Sequence, residues 1–239
     1  MRSWLALGLV LALGAGCGKA QPGASEPAAS DAQPPQVASR PLPADLPEDT
    51  VLVIEDQPIT RSEIDRWLGI YRLIEPAKSE HALRRLIVTN SCLPIAAARV
   101  LDPEGSAAAL RRLERARTKV LAGETLSLED PQIERIEDTW KSTMGLDRLG
   151  VGKETPLGEW SPIFETLGGY TMVRVVRAPS PWLPNSVITL EHITVNYLPP
   201  EQSKEIVWDA LKNVEITVVD PEWRRYLPTI YLHQCRVPQ

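Results

Sequence analysis

The chain has 239 residues, 43% of them apolar, and a formal net charge of −5 at pH 7. That is enough for one substantial hydrophobic core or two small ones. The negative balance excludes any general attraction to nucleic acid or anionic lipid, and the pairs Arg84-Arg85 and Arg111-Arg112 read as solvated helix faces.

Residues 1–17 open with a positive charge at Arg2, continue with an apolar run from Trp4 to Leu13 and close on small residues before Cys17. This is the pattern of an export signal, shorter than the roughly 20 apolar residues a membrane-spanning helix needs. The ending Leu13-Gly14-Ala15-Gly16-Cys17 resembles the lipobox of bacterial lipoproteins, with Gly14 where Leu is usual and Leu13 one place earlier. The resemblance implies a lipid on Cys17. The bland reading is ordinary secretory cleavage with Cys17 incidental. Both put the folded part outside the cytoplasm, in the periplasm and lipid-anchored if the lipobox holds. Gly18 in place of the Asp associated with inner-membrane retention favours the outer membrane. Residues 18–49 are rich in Pro, Ala and Ser and contain no aromatic residue, so they read as a disordered tether with a reach of at most about 100 Å at ~3.1 Å per residue.

Structure is expected to begin with a strand, Val51-Leu52-Val53-Ile54, stopped by Glu55-Asp56-Gln57-Pro58. Thr60-Arg61-Ser62-Glu63 is a capping box, and Ile64, Trp67, Leu68 and Tyr71 then fall on one helical face. A second helix runs from Ser79 to Leu101, kinked or divided at Pro94, and Asp102-Pro103-Glu104-Gly105 ends it. A third, 106–121, groups Leu110, Leu113 and Val120 and exposes Arg111, Arg112, Arg115, Arg117 and Lys119. Asp130-Pro131 starts a fourth, with Ile133, Ile136 and Trp140 at helical spacing. Gly145, Gly150, Gly152, Pro156 and Gly158 mark loops. The alternating end of ETLGGYTMVRV (165–175) and residues 187–197 predict two strands paired as a hairpin with a long loop. A helix at 203–213, a strand at 214–219 and a short Trp-rich helix after Asp220-Pro221 complete the chain.

Cys92 and Cys235 remain for an oxidising compartment, either as one disulfide or as two buried thiols. The histidines His81, His192 and His233 form no close-spaced ligand set with them, so no metal is expected. There is no nucleophile elbow, phosphate-binding loop or zinc-protease motif. Glu134, Glu137 and Asp138, with Arg135 among them, read as a solvated face. No cofactor and no small-molecule substrate are indicated.

The segment VLVIEDQPITRSEIDRWL (51–68), above all Pro58-Ile59-Thr60-Arg61 with Glu63 and Asp65, resembles the start of the extracytoplasmic SurA and foldase-type chaperones. In that family a helical lobe is interrupted by parvulin-type prolyl isomerase domains and completed by a returning segment, which LKNVEITVVD (211–220) resembles. If it returns, Cys235 comes towards Cys92. Gly158-Glu159-Trp160-Ser161, Glu165-Thr166, Gly169-Tyr170 and Val173-Arg174-Val175 resemble the last strand of a parvulin domain. Gly168 stands there at a Phe position and Thr171 at a His position, both active-site positions of the family. Glu191-His192-Ile193-Thr194-Val195 resembles the family's first strand but lies after the last one. His192 is therefore either a displaced catalytic residue or an ordinary polar residue on a strand. The resemblance implies an α+β fold, mainly helical: a SurA-type N-terminal chaperone lobe with a small antiparallel sheet as parvulin-like remnant. Its parts are the signal peptide at 1–17, the tether at 18–49, the lobe at 50–105, the degenerate parvulin-like region at 106–180 and a completing segment at 181–239.

The expected function is a membrane-tethered chaperone or accessory protein that binds unfolded or partner polypeptides, more a binder than an enzyme. The alternatives are a working parvulin-type peptidyl-prolyl isomerase and a structural lipoprotein subunit of an envelope complex. Seven tryptophans stand against one phenylalanine. Trp160, Phe164, Tyr170, Trp182 and Trp223 are the candidates for a peptide-binding surface, against the bland reading that they pack.

Overall fold

Thr50–Ile54 form strand β1, and all five residues are buried, so both of its faces are covered. The computed structural model to which this strand belongs describes residues 42–139, 146–179 and 187–236. Residues 1–41, which hold the expected signal, Cys17 and most of the expected tether, and also Trp140 and Trp182, lie outside the described residues. A tight turn with Glu55 at φ 54° returns the chain into β2 (Gln57–Thr60), antiparallel to β1.

The capping box then works as expected. Thr60 accepts from the Glu63 amide at 3.1 Å and opens α1 (Arg61–Ile74), which buries Ile64, Trp67, Leu68, Ile70, Tyr71 and Ile74. Ser79 caps α2 (Glu80–Ile87), a π-helical turn follows at Val88–Cys92, and α3 (Leu93–Leu101) carries Pro94 in its first turn. The division foreseen at Pro94 is thus made by a change of helical winding, which places proline where its missing N–H costs least. Asp102-Pro103-Glu104-Gly105 ends α3 and also starts α4 (Pro103–Leu121), three residues before the expected position. Asp102 is its N-cap, accepting from the Gly105 amide at 2.9 Å, and Pro103 occupies the first turn.

Two expectations are overturned in the next stretch. Residues Glu134–Thr139 form strand β3, not a helix. The spacing of Ile133 and Ile136 is compatible with a helix, but Ile133 is exposed and the segment is held by antiparallel pairing with a later strand. Leu146–Glu154 form helix α5, not a loop. Its glycines serve close packing: a Cβ on Gly150 would sit 2.0 Å from Ile70 Cγ2 of α1.

Phe164–Thr166 (β4), Gly169–Arg177 (β5) and Val187–Asn196 (β6) follow. The foreseen hairpin of β5 and β6 is present, in a wholly antiparallel sheet of order β3-β6-β5-β4. Helix α6 (Ser203–Leu211) leads to β7 (Ile216–Val218), which returns to pair antiparallel with β1, Leu52 opposite Val218. Short 3₁₀ turns at Pro221–Tyr226 and Thr229–Tyr231 precede β8 (Cys235–Arg236), parallel to β7.

The described fold is therefore α+β, with six α-helices and two four-stranded sheets where one small sheet was expected. The segment from residue 181 is divided between them, β6 going to the second sheet and β7 and β8 to the first. On one face of the second sheet, Met172, Ile193 and Val195 pack with Ala109 and Leu113 of α4. On the other, Val173, Val175, Ile188 and Leu190 join the larger core that holds α1 and α5. No helix among the described residues is long and apolar enough to cross a membrane.

Candidate functional site

The residues singled out on β5 are brought together with those on β6, but inside the sheet. Thr171 is opposite Thr194, and Val173 opposite His192. Thr171 has no exposed surface and His192 only 4%. The Thr171 hydroxyl lies 3.1 Å from the Ile193 carbonyl and 2.8 Å from Thr194 Oγ1, which in turn lies 3.1 Å from His192 Nδ1. The other ring nitrogen, Nε2, is 3.5 Å from a carboxylate oxygen of Glu134 on β3. Burial, and then the charge of Arg148, hold the His192 pKa below its usual value against the pull of Glu134. This chain of polar groups is satisfied internally. A hydroxyl at position 171 offers neither the proton exchange nor the geometry of an imidazole.

Gly168 is the turn residue between β4 and β5, with φ 74°. Its carbonyl accepts from the amides of Tyr197 and Leu198, and a Cβ there would meet Leu198 Cβ at 2.9 Å and Ser203 Cβ at 3.3 Å. A Phe side chain cannot be seated at this backbone position without strain and displacement. The two positions at which the resemblance places catalytic groups are thus a packed strand residue and a left-handed turn.

The aromatic candidates among the described residues do not form one surface. Phe164 is buried at 2% exposure, edge-on to Trp67 of α1. Trp223 is buried against Tyr226, with the Arg84 guanidinium 5.3 Å from its ring centre. Tyr170 is half-buried, its hydroxyl 2.8 Å from Ser106 Oγ and its ring against Tyr197. Trp160 is half-buried beneath the guanidinium of Arg174, which is ion-paired to Glu191. Packing therefore accounts for Phe164 and Trp223, and of the described candidates only Trp160 and Tyr170 retain partial exposure. Cys92 and Cys235 are both free thiols, the first buried and the second half-buried with its Sγ donating to the Tyr231 carbonyl. The bridge left open by the sequence is not formed.

A polar cluster that sequence reasoning missed joins the helices to the second sheet. Arg99 of α3 forks onto Glu165 of β4, with Nε to the two carboxylate oxygens at 3.0 and 2.8 Å and a further bond from Nη2. Tyr197 donates to the same carboxylate at 3.1 Å, and Glu63 of α1 lies 4.0 Å from Arg99. Burial works against the Arg99 charge, but its hydrogen bonds and the charges of Glu165 and Glu63 hold its pKa above normal. Burial, opposed by Arg99 and reinforced by Glu165, raises the pKa of Glu63. Burial and then the Glu165 charge raise that of Tyr197. Arg99 also lines a cleft of about 290 Å³ with Glu55, Asp56, Gln57, Val100 and Pro103. With two carboxylates already on it, Arg99 acts there as a structural tie, not as an anion-binding group. Glu63 and Glu165 both stood in recognisable motifs, whereas nothing in the sequence marked Arg99 as their partner.

Comparison of the chain with protein-family models, with curated proteins and with solved structures finds no match.

Proposed function

We propose that this chain is a membrane-tethered, extracytoplasmic polypeptide-binding protein of SurA type, a chaperone or an accessory subunit of an export or envelope-assembly system, which does not catalyse proline isomerisation. The observation that carries the non-catalytic part is the state of β5, where Thr171 is fully buried and hydrogen-bonded within the sheet and Gly168 occupies a left-handed turn. Lowering an isomerisation barrier of about 20 kcal/mol needs an apolar pocket for a twisted proline and a preorganised polar group, and neither position supplies one. The polypeptide-binding part is supported by the resemblance of residues 51–68 to the chaperone lobe and by the return of β7 to β1. The tethering rests on the lipobox-like ending at Cys17.

The test has three arms. In a protease-coupled proline isomerisation assay the chain should not accelerate the uncatalysed rate, and clear acceleration would sink the non-catalytic reading. With chemically denatured model proteins diluted from urea, it should suppress light scattering at near-stoichiometric amounts. Absence of suppression would favour the structural-subunit alternative. Labelled palmitate should enter the wild type and be lost in Cys17→Ser. The isomerase alternative has one observation in its favour, the continuous chain His192, Thr194, Thr171 across the β5–β6 pair. Acceleration abolished by His192→Gln would establish it.

A further inference from the structure

The outward face of α4 gathers cations, some of them without an ion-pair partner among the described residues. The helix carries Arg111, Arg112, Arg115, Arg117 and Lys119 against two carboxylates, Glu104 and Glu114, in a chain whose net charge is −5. Several cations elsewhere are answered: Arg61 by Asp220, Arg72 by Glu80, Arg84 by Asp65 and Glu80, Arg174 by Glu191. On α4, Lys119 is held by Asp130 and Arg112 reaches only the Glu129 carbonyl at 2.9 Å. Arg111 and Arg115 are exposed and make no ion pair among the described residues. They stand four residues apart on one line of the helix, where like charges repel unless a counter-charge is brought to them.

Beside them the helix surface is hollow. Pro103, Glu104, Gly105, Ala107, Ala108 and Arg111 line an open depression of about 670 Å³. Gly105, Ala107 and Ala108 present little beyond backbone and methyl groups, so a partner's small apolar side chains can approach the helix closely while its carboxylates meet the arginines. A guanidinium fork suits carboxylates better than an ammonium does. A membrane-surface helix would set large residues such as Trp, Phe or Leu beside its cations, and residues 104–115 expose none. Binding of single-stranded nucleic acid would call for aromatic rings between the cations, which this face also lacks.

We infer that the Arg111–Arg112–Arg115 face of α4, with the adjoining alanine hollow, docks an acidic segment of a partner polypeptide. This inference rests on the polypeptide-binding reading and names its partner class. The probe is a rhodamine-labelled dodecapeptide of repeating Leu, Glu, Ala, Glu, titrated with the full chain and followed by anisotropy, beside the same peptide with Lys for Glu. The acidic peptide should bind and the basic one should not, and affinity should fall steeply between ~0.05 and ~0.5 M salt as the charges are screened.

The triple variant Arg111→Glu, Arg112→Glu, Arg115→Glu should bind about ten- to a hundredfold more weakly. Ala108→Trp, which alters no charge and fills the hollow, should weaken binding several-fold. Both substitutions are at exposed positions, and unchanged melting curves verify folding. Equal binding of the two peptides, no binding of the acidic one, or full affinity in both variants would overturn the inference. So would co-sedimentation of the chain with phosphatidylglycerol vesicles in preference to the peptide. If the variants still suppress aggregation of denatured proteins while losing the peptide, the polypeptide-binding reading and this inference both stand. If wild type suppresses aggregation but ignores the acidic peptide, only the inference falls.

Discussion

Gly168 offers a quantitative test of why the turn between β4 and β5 holds no larger residue. In Gly168→Ala, a side chain is forced into the left-handed region at φ 74°, which costs about 1–2 kcal/mol for a residue with a Cβ. The new Cβ also meets Leu198 Cβ at 2.9 Å and Ser203 Cβ at 3.3 Å. Both are anchored close to the backbone, and overpacking of that kind costs about 1–3 kcal/mol. The sum is ~2–5 kcal/mol. Gly123 supplies the internal control: its φ is 75° and nothing lies within 4 Å of an added Cβ, so Gly123→Ala should carry the backbone cost alone. The assay is urea unfolding followed by tryptophan fluorescence, with the difference between the variants taken at equal slope. Gly168→Ala should be the less stable of the two by ~1–3 kcal/mol, and Gly168→Phe worse still. Equal destabilisation of the two alanine variants would refute the steric argument. A stable Gly168→Phe, Thr171→His protein that accelerated proline isomerisation would refute the wider claim that this turn precludes the pocket.

Three further outcomes follow from the polar cluster and the helix packing. Because the folded-state pKa of Glu63 is raised above its ordinary 4.5, this group's stabilising contribution is complete below about that pH and is lost as pH rises through the raised value. Glu63→Gln should therefore flatten the decline in melting temperature as pH rises above about 4.5, and an unchanged slope would refute it. Arg99→Met removes the only cation on Glu165 among the described residues and should cost about 3 kcal/mol in urea unfolding, against about 1 kcal/mol for Tyr197→Phe; near-equal losses would contradict the assigned hierarchy. Gly150→Ala should destabilise by ~1–3 kcal/mol, and Ile70→Ala in the same chain should recover part of that loss, since the two sites share one contact. Strict additivity would mean that α5 moves away instead.

What the sequence made legible was local. The Thr60 cap, the break at Pro94 and the alternation within β5 each declare themselves within a few residues. β3 departs from the expected helix because its register comes from β6, roughly fifty residues later, and its own spacing of Ile133 and Ile136 fits a helix equally well. α5 was hidden by Gly150 and Gly152, residues that disfavour a helix in isolation yet permit close approach to Ile70 of α1 and Val175 of β5. Asp102-Pro103 read as a stop because proline ends the helix before it, and the same two residues are an N-cap and first turn for the next. At the candidate site, the Thr171 and Gly168 positions were found by resemblance. Their packed surroundings were not, since these depend on Leu198, Ser203 and Thr194 lying against them.

The polar cluster gives the ETLGGY segment a structural role. Glu165 receives Arg99 from α3 and Tyr197 from the end of β6, while two residues beyond Thr166 the carbonyl of Gly168 accepts from both Tyr197 and Leu198. A single short turn thus fixes the end of the hairpin sheet to the helices. The hairpin itself is a comparatively local structure, whereas β1 must wait for β7, and Glu55 for the Glu215 amide 160 residues away. Closing so long a loop is the costly step in ordering such a chain. Preassembly of α1, α3 and the hairpin sheet around Arg99 shortens the effective loop by holding the intervening 100 or so residues compact. On this account Arg99→Met should slow refolding more than it speeds unfolding, because the tie forms before the first sheet closes. A chevron in which Arg99→Met changes only the unfolding limb would place the tie after closure, and the β1–β7 pairing would then be formed without its help.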